Sequence, residues 1–133
     1  MNDYNSQYSG AKIEELLGQI PNLAKADLSN AMTVNLNQNG YAKFNNGMLI
    51  QWGKGGGYTT YHTYYLPMSF LDINYSFSIC AEYKNLSESV ILSPYVNNKT
   101  RTTFVSGITA TNISNGVLAS NWNFFWIAIG RWK

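Results

Sequence analysis

Five rings crowd eight consecutive positions in the segment YTTYHTYY: Tyr58, Tyr61, His62, Tyr64 and Tyr65. A tyrosine gives a large flat contact face at low entropy cost, and its ring stacks well on the C–H face of a sugar. Asparagine amides both donate and accept, so they suit sugar hydroxyls, and the chain carries 17 asparagines. In an extended strand, alternation puts Tyr58, His62 and Tyr64 on one face and Tyr61 and Tyr65 on the other. Five rings cannot all point inward, so one set is expected at the surface. A second group falls in later turns: Lys99 and Arg101, then Asn121, Trp122 and Asn123. Trp122, between two asparagines, is either an exposed anchor or a cap over the edge of the core. The candidate receptor-contacting set is therefore Tyr58, Tyr61, His62, Tyr64, Lys99, Arg101, Asn121, Trp122 and Asn123.

Bond-breaking chemistry finds less material. Beyond residue 38 the only carboxylates are Asp72, Glu82 and Glu88. Glycoside hydrolysis needs two of them about 5–10 Å apart in a groove. Asp72 and Glu82 are the pair such a reading would use, but Glu82 lies on a serine-rich strand face and Glu88 in a polar stretch. No Ser/His/Asp arrangement surrounds His62. One histidine and one cysteine do not make a metal centre, and one cysteine cannot close an intrachain disulfide. Cys80, within an alternating strand, is expected to be a small buried thiol. The glycine run KGGG lacks the Gly-Lys-Ser/Thr ending of a phosphate cradle and reads as a flexible turn. The expectation is binding without catalysis, cofactor or metal.

The composition agrees. Charged residues are 12% and aromatics 15% of 133 residues, against roughly 25% charged in an average soluble domain. A net charge of +2 with scattered cations does not suit nucleic acid. The first twelve residues are polar, which predicts no secretory signal, and no stretch nears the roughly 20 apolar residues of a membrane helix. Low charge leaves little repulsion against self-association.

The elements that must position these residues follow from periodicity. Residues 11–20 are the one helical candidate. Ile13, Leu16, Leu17 and Ile20 share a face, Ser9 or Gly10 caps the start, and Pro21 ends it. This stripe packs either on its own β region or on two copies of itself. Residues 24–38 read as a polar connector, after which the period changes to two. Strands are expected at 41–44, 48–53, 58–65, 75–83, 90–96 (interrupted by Pro94), 102–109 and 124–129. Asn45-Asn46-Gly47 suits the primed turn of a tight hairpin, and residues 97–99 and 112–121 read as turn and loop. In the strand 75–83, Tyr75, Phe77, Ile79, Ala81 and Tyr83 share one face. Short strands at about ten-residue spacing predict a mainly β fold, a sandwich or barrel-like domain over 39–133, preceded by a lead-in, short helix and linker over 1–38.

The last strand is apolar on both faces: Phe124, Trp126 and Ala128 on one, Phe125, Ile127 and Ile129 on the other. Both sides then need cover. In so small a domain, neighbouring copies about a three-fold axis are a natural second cover. Ile13, Leu16, Ile20, Trp52, Phe125, Trp126, Ile127 and Ile129 are accordingly expected in the core or the trimer interface.

Three stretches in order carry a resemblance: GYAKFNNGMLIQWG (40–53), LPMSFLDINYSFSI (66–79) and NFFWIAIGRWK (123–133). Together they resemble the C-terminal domain of bacteriophage tail-fibre proteins. Such domains begin with a strand ending in Ile-Gln-Trp-Gly and finish with an aromatic strand reading Trp-Ile-Ala-Ile-Gly. The resemblance implies a homotrimeric, receptor-binding tip at the distal end of a fibre, joined to the rest of the fibre or tail. It implies a virion component, made in the host cytoplasm, that contacts a bacterial surface glycan or outer protein, with no nucleic acid and no membrane insertion. The tip is the variable part of such fibres, so the receptor does not carry over. Some fibre tips bind iron through repeated His-x-His motifs; with His62 alone, no metal carries over. A structural fibre or baseplate module, or a glycan-degrading tip, are the alternatives.

Overall fold

The computed structural model describes residues 7–23, 25, 27–83, 90–112, 116–118 and 121–133. The chain divides into two compact units, Met1–Ala31 and Met32–Lys133. In the first, helix α1 spans Gly10–Gln19, and the Ser9 hydroxyl accepts the Lys12 backbone N–H at 3.2 Å. Pro21 sits in a 3-10 turn, Ile20–Asn22, where its missing N–H costs nothing. Ile13, Leu16 and Ile20 are all exposed, so none of the described residues buries their stripe.

The second unit holds β1 (Met32–Asn35), β2 (Gly40–Phe44), β3 (Met48–Gly56), β4 (His62–Tyr65), β5 (Ser76–Glu82), β6 (Val90–Asn97), β7 (Thr103–Asn112), β8 (Gly116–Leu118) and β9 (Asn123–Arg131). They form two antiparallel sheets. One is ordered β1-β2-β3-β9-β5; the other is β4-β7-β6, with β8 also paired to β7. The fold is thus mainly β, a two-sheet sandwich with one short helix before it.

Several boundaries depart from expectation. The supposed connector contains β1, whose Val34 pairs with Ala42 of β2, so the β unit starts earlier than residue 39. Residues 54–56 are not a loop: they continue β3, opposite Phe125, Phe124 and Asn123. Glycine is needed there for packing, because a Cβ at Gly53 would run into Asn39 and the Trp126 ring, and one at Gly55 into Phe124. The Asn45-Asn46-Gly47 hairpin is not primed. Only Gly47 takes a positive φ, +101°, and its N–H reaches Phe44 O at 3.0 Å, the pattern of a three-residue loop with a terminal glycine. Residues 58–61 stay outside β4. β6 runs through Pro94 without a break, tolerated because β6 is an edge strand. β8 occupies part of the expected loop 112–121.

The core lies between the sheets. Leu49, Phe124, Trp126 and Ala128 enter from one, Phe104 from the other, and Leu66, Phe70 and Tyr75 from the connection between β4 and β5. Rings meet edge-on or tilted: Phe104–Trp126 at 5.2 Å, Phe77–Phe104 at 4.6 Å and Tyr64–Phe124 at 5.1 Å between centroids. Each such pair adds about 0.5–1.5 kcal/mol beyond area burial. Cys80 is exposed, not buried. The strand's inward positions are Phe77, Ile79 and Ala81, so the intervening Cys80 falls on the outer face.

One buried polar group is built into this core. Gln51 is fully buried. Its Oε1 accepts the Met68 N–H at 2.7 Å, and its Nε2 donates to Met68 O at 3.0 Å. Gln51→Leu leaves both Met68 groups unmet and is expected to cost about 1–3 kcal/mol for each, read as a lowered urea midpoint. Tyr75 gives a pH test. Burial pushes its hydroxyl from 10.0 up to about 12, and its Oη donates to Thr100 O at 2.9 Å. The neutral phenol is favoured in the folded state, so this contribution is complete below pH 10 and is lost as pH rises to about 12. Urea unfolding across that window should show stability falling with pH, with a shallower slope in Tyr75→Phe.

Candidate functional site

The ring-rich segment separates by alternation. Tyr58 stacks on His62 at 3.9 Å between centroids, with the planes 8° apart. His62 meets Tyr64 edge-on at 5.3 Å. Tyr64 continues inward: its ring lies against Phe104 and Phe124, and its Oη accepts the Gly56 N–H at 3.0 Å. Burial raises the Tyr64 hydroxyl above its ordinary value, the Gly56 bond opposing. Tyr64, expected as a surface contact, is a packing residue, because it fills the seam between the sheets. Tyr61 and Tyr65 point outward, 70% and 78% exposed.

Tyr61 then finds partners from another strand. A cleft of about 350 Å³ is lined by Tyr61, Tyr95, Asn97, Asn98 and Val105. Two rings and two amides surround an apolar floor, with no ionisable carboxyl or amine in the lining. The Tyr95 ring lies beside Gly107, its cross-strand partner, in the space a Cβ there would occupy. Asn98 adopts a positive φ of 45° to turn the chain, its N–H held by Asn97 Oδ1 at 2.8 Å. This arrangement suits a neutral, hydroxyl-rich ligand with an apolar face.

Beyond Asn98 the same turn carries the two cations. Lys99 and Arg101 line a shallow depression of about 520 Å³ with Ser69, Ile73, Thr100 and Thr102. Arg101 Nε donates to Phe70 O at 3.0 Å, and the Phe70 N–H returns to Arg101 O at 2.9 Å. Lys99 Nζ donates to Tyr75 O at 2.8 Å and sits 4.5 Å above the Tyr75 ring. A third depression, between the two, includes Asn97, Asn98 and Lys99. Residues 97–102 are thus a ridge with recesses around it.

Asn121, Trp122 and Asn123 do not join this group. Trp122 is buried against Val90 and Ala110 and meets Tyr83 edge-on at 5.8 Å. It is a cap on the core edge, not an exposed anchor. Asn123 Nδ2 donates to Glu82 at 3.0 Å, and Glu82 pairs with Lys54 at 2.7 Å. These residues stand at the start of β9. Arg101 neighbours the end of β9 through Phe70 and Leu71, whose N–H bonds Arg131 O. Eight strand steps, roughly 26 Å, separate the two ends. The same length separates Glu82 from Asp72, which pairs with Arg131 at 3.0 Å. The Asn74 N–H, and then Arg131, hold the Asp72 carboxyl below its ordinary range. The two carboxylates are not brought together, and Glu88 lies outside the described residues.

The outer face of the five-stranded sheet is a second surface. Phe125, Ile127 and Ile129 are 47%, 42% and 43% exposed. Trp52 stands opposite Ile127 and Ile50 opposite Ile129, with Val34 and Met48 exposed beyond them. The Trp52 indole N–H is satisfied by Asn37 O at 3.1 Å. Trp126, by contrast, lies in the chain's own core. Among the described residues, only one face of β9 is covered.

Sequence reasoning missed Tyr95, Asn97, Asn98 and Val105. Tyr95 read as one more strand residue, and its pairing with Gly107 is not local. The available signal was a tyrosine two residues before an Asn-Asn turn.

Residues 43–131, more than half the chain, match the family of the C-terminal domain of gp53-like tail fiber proteins. Among solved structures, an N-truncated R2-type pyocin tail fiber superposes with a TM-score of 0.58 at 15% identity, over 98% of this chain and 54% of the other. The C-terminal part of the Pseudomonas aeruginosa R1 pyocin fiber gives 0.52 at 18% identity, over 98% of this chain and 39% of the other. The chain thus spans about half or less of these fibers, and at such identities the likeness concerns the fold. No curated protein matches the sequence. The expected resemblance holds: this chain belongs to the gp53-like tail-fibre C-terminal family.

Proposed function

We propose that the chain is the receptor-binding tip of a bacteriophage tail fibre, working as a homotrimer that grips a glycan of the bacterial surface. The observation that carries this reading is the cleft of Tyr61, Tyr95, Asn97 and Asn98, whose rings and amides match the apolar faces and hydroxyls of a sugar. The tip binds and does not cleave; the separated, ion-paired Asp72 and Glu82 support that. Its partners are copies of itself, the rest of the fibre and the host envelope. It is a virion component made in the host cytoplasm.

The trimer supports binding in two ways. The exposed residues Phe125, Ile127 and Ile129 of β9 and Met48 of β3 stand together on one face, the kind of contiguous apolar surface that marks an interaction site, and copies of the chain meeting there remove it from water. Three equivalent clefts then raise weak single-site affinity by avidity.

Two measurements test this. Light scattering should give three times the chain mass for the native protein and a lower state for Ile127→Glu, which puts a charge at the middle of the face. A native protein that stays monomeric at all concentrations would remove the trimer. Adsorption of the native protein to host cells should fall about tenfold or more in Tyr61→Ala with Tyr95→Ala, while circular dichroism stays unchanged. Undiminished adsorption would move the binding site elsewhere.

A further inference from the structure

We propose that the depression lined by Lys99 and Arg101 is an anion-binding subsite for a negatively charged sugar, one bearing a carboxylate or a phosphate. It extends the neutral Tyr61–Tyr95 cleft across the ridge at 97–102, and it rests on the glycan-binding reading above.

The first argument is how the two cations are held. Each is fixed by a backbone carbonyl, Lys99 by Tyr75 O and Arg101 by Phe70 O. Neither takes part in an ion pair among the described residues. A neutral acceptor positions a cation without cancelling its charge. Ordering two long side chains ordinarily costs entropy at the moment of binding; here that ordering is already in place. Arg101 spends its Nε on Phe70 and keeps both Nη groups, the edge that grips carboxylate or phosphate oxygens in pairs. The neighbouring acid, Asp72, has its charge met by Arg131.

The second argument is that the fold does not need these charges. The turn is already fastened by Leu66 N–H to Thr102 O, Phe70 N–H to Arg101 O and Tyr75 Oη to Thr100 O. Neutral side chains at 99 and 101 would leave all three bonds intact. The remaining lining fits a sugar: Ile73 is exposed and apolar, and Ser69 and Thr102 bring hydroxyls.

The third argument is continuity. Asn97 and Asn98 line both the neutral cleft and the middle depression, and Lys99 lines both the middle and the cationic one. A short oligosaccharide lying around the ridge would meet rings and amides at one end and two positive charges at the other.

The test is a titration of the isotopically labelled full chain, followed by NMR, with glucuronate, glucose 6-phosphate and glucose at constant ionic strength. Saturable shifts are expected at residues 99–102 and Ser69 with an acidic sugar and not with glucose; the two acidic sugars separate carboxylate from phosphate. Lys99→Gln with Arg101→Gln should weaken that binding about tenfold or more. Glucose shifting the turn as strongly as the acidic sugars, or no saturable shift with either acid, would overturn the subsite. Adsorption to whole cells is read separately. Sugar shifts without adsorption to any envelope type sink the receptor reading alone. Adsorption without sugar shifts sinks the subsite alone.

Discussion

One strand decides what every other part of the β unit can be. β9 lies between β3 and β5, bonded on both edges, with large apolar side chains on both faces. The inward row Phe124, Trp126 and Ala128 closes the core. Burying one such ring removes about 150–250 Å² from water, roughly 4–6 kcal/mol before entropy is counted. β9 joins β3 across a long stretch of chain, so the core forms only when distant segments meet, a topology that folds slowly. The outward row stays exposed in the single chain, with Lys54 Nζ 5.0 Å above the Phe125 ring at one end. A sandwich that spends its inner face on the core and leaves an apolar outer face is built to be one member of an assembly.

This division of labour frees the opposite sheet. The outer side of β4, β7 and β6 carries no comparable apolar row. It carries Tyr65, Tyr61, Tyr95 and Asn97, with Val105 and Gly107 between them. Its recesses sit on paired strands and a turn tied to the core by three hydrogen bonds, so the groups that line them are held by a rigid frame. The charges that remain near β9 stand at its two ends, Lys54 with Glu82 and Arg131 with Asp72. Pairs this exposed add little stability, but they leave the middle of the apolar face free of charge.

What could be read from the residues was what depends on local pattern. The amphipathic helix with its Ser9 cap, the alternation of 76–82, the hairpin at Asn45-Asn46-Gly47 and the two-sided final strand all appear where periodicity put them. The split of Tyr58, His62 and Tyr64 from Tyr61 and Tyr65 followed from the same rule. The failures share a different cause. β1 is four residues long inside a polar stretch and exists because β2 offers it an edge. Gly55 looks like a loop residue but is a strand position crowded by the Phe124 ring from β9. Trp122 could be read as anchor or as cap, because the partners that make it a cap, Tyr83, Val90 and Ala110, are distant in sequence. Cys80 was misplaced by treating a small thiol as inward by habit, although its own strand's alternation put it outside. Asn121, Trp122 and Asn123, three of the nine predicted contact residues, lie the length of a strand from Arg101, which no spacing rule conveys.

The pairing of Tyr95 with Gly107 has an evolutionary corollary. Gly107 is buried on the central strand of its sheet, yet the absence of its side chain sets how low the tyrosine ring can lie. A methyl group added there would lift the ring and make the recess shallower, with every contacting residue unchanged. On the proposed receptor-binding reading, host range would drift through a position that no survey of surface variation would single out.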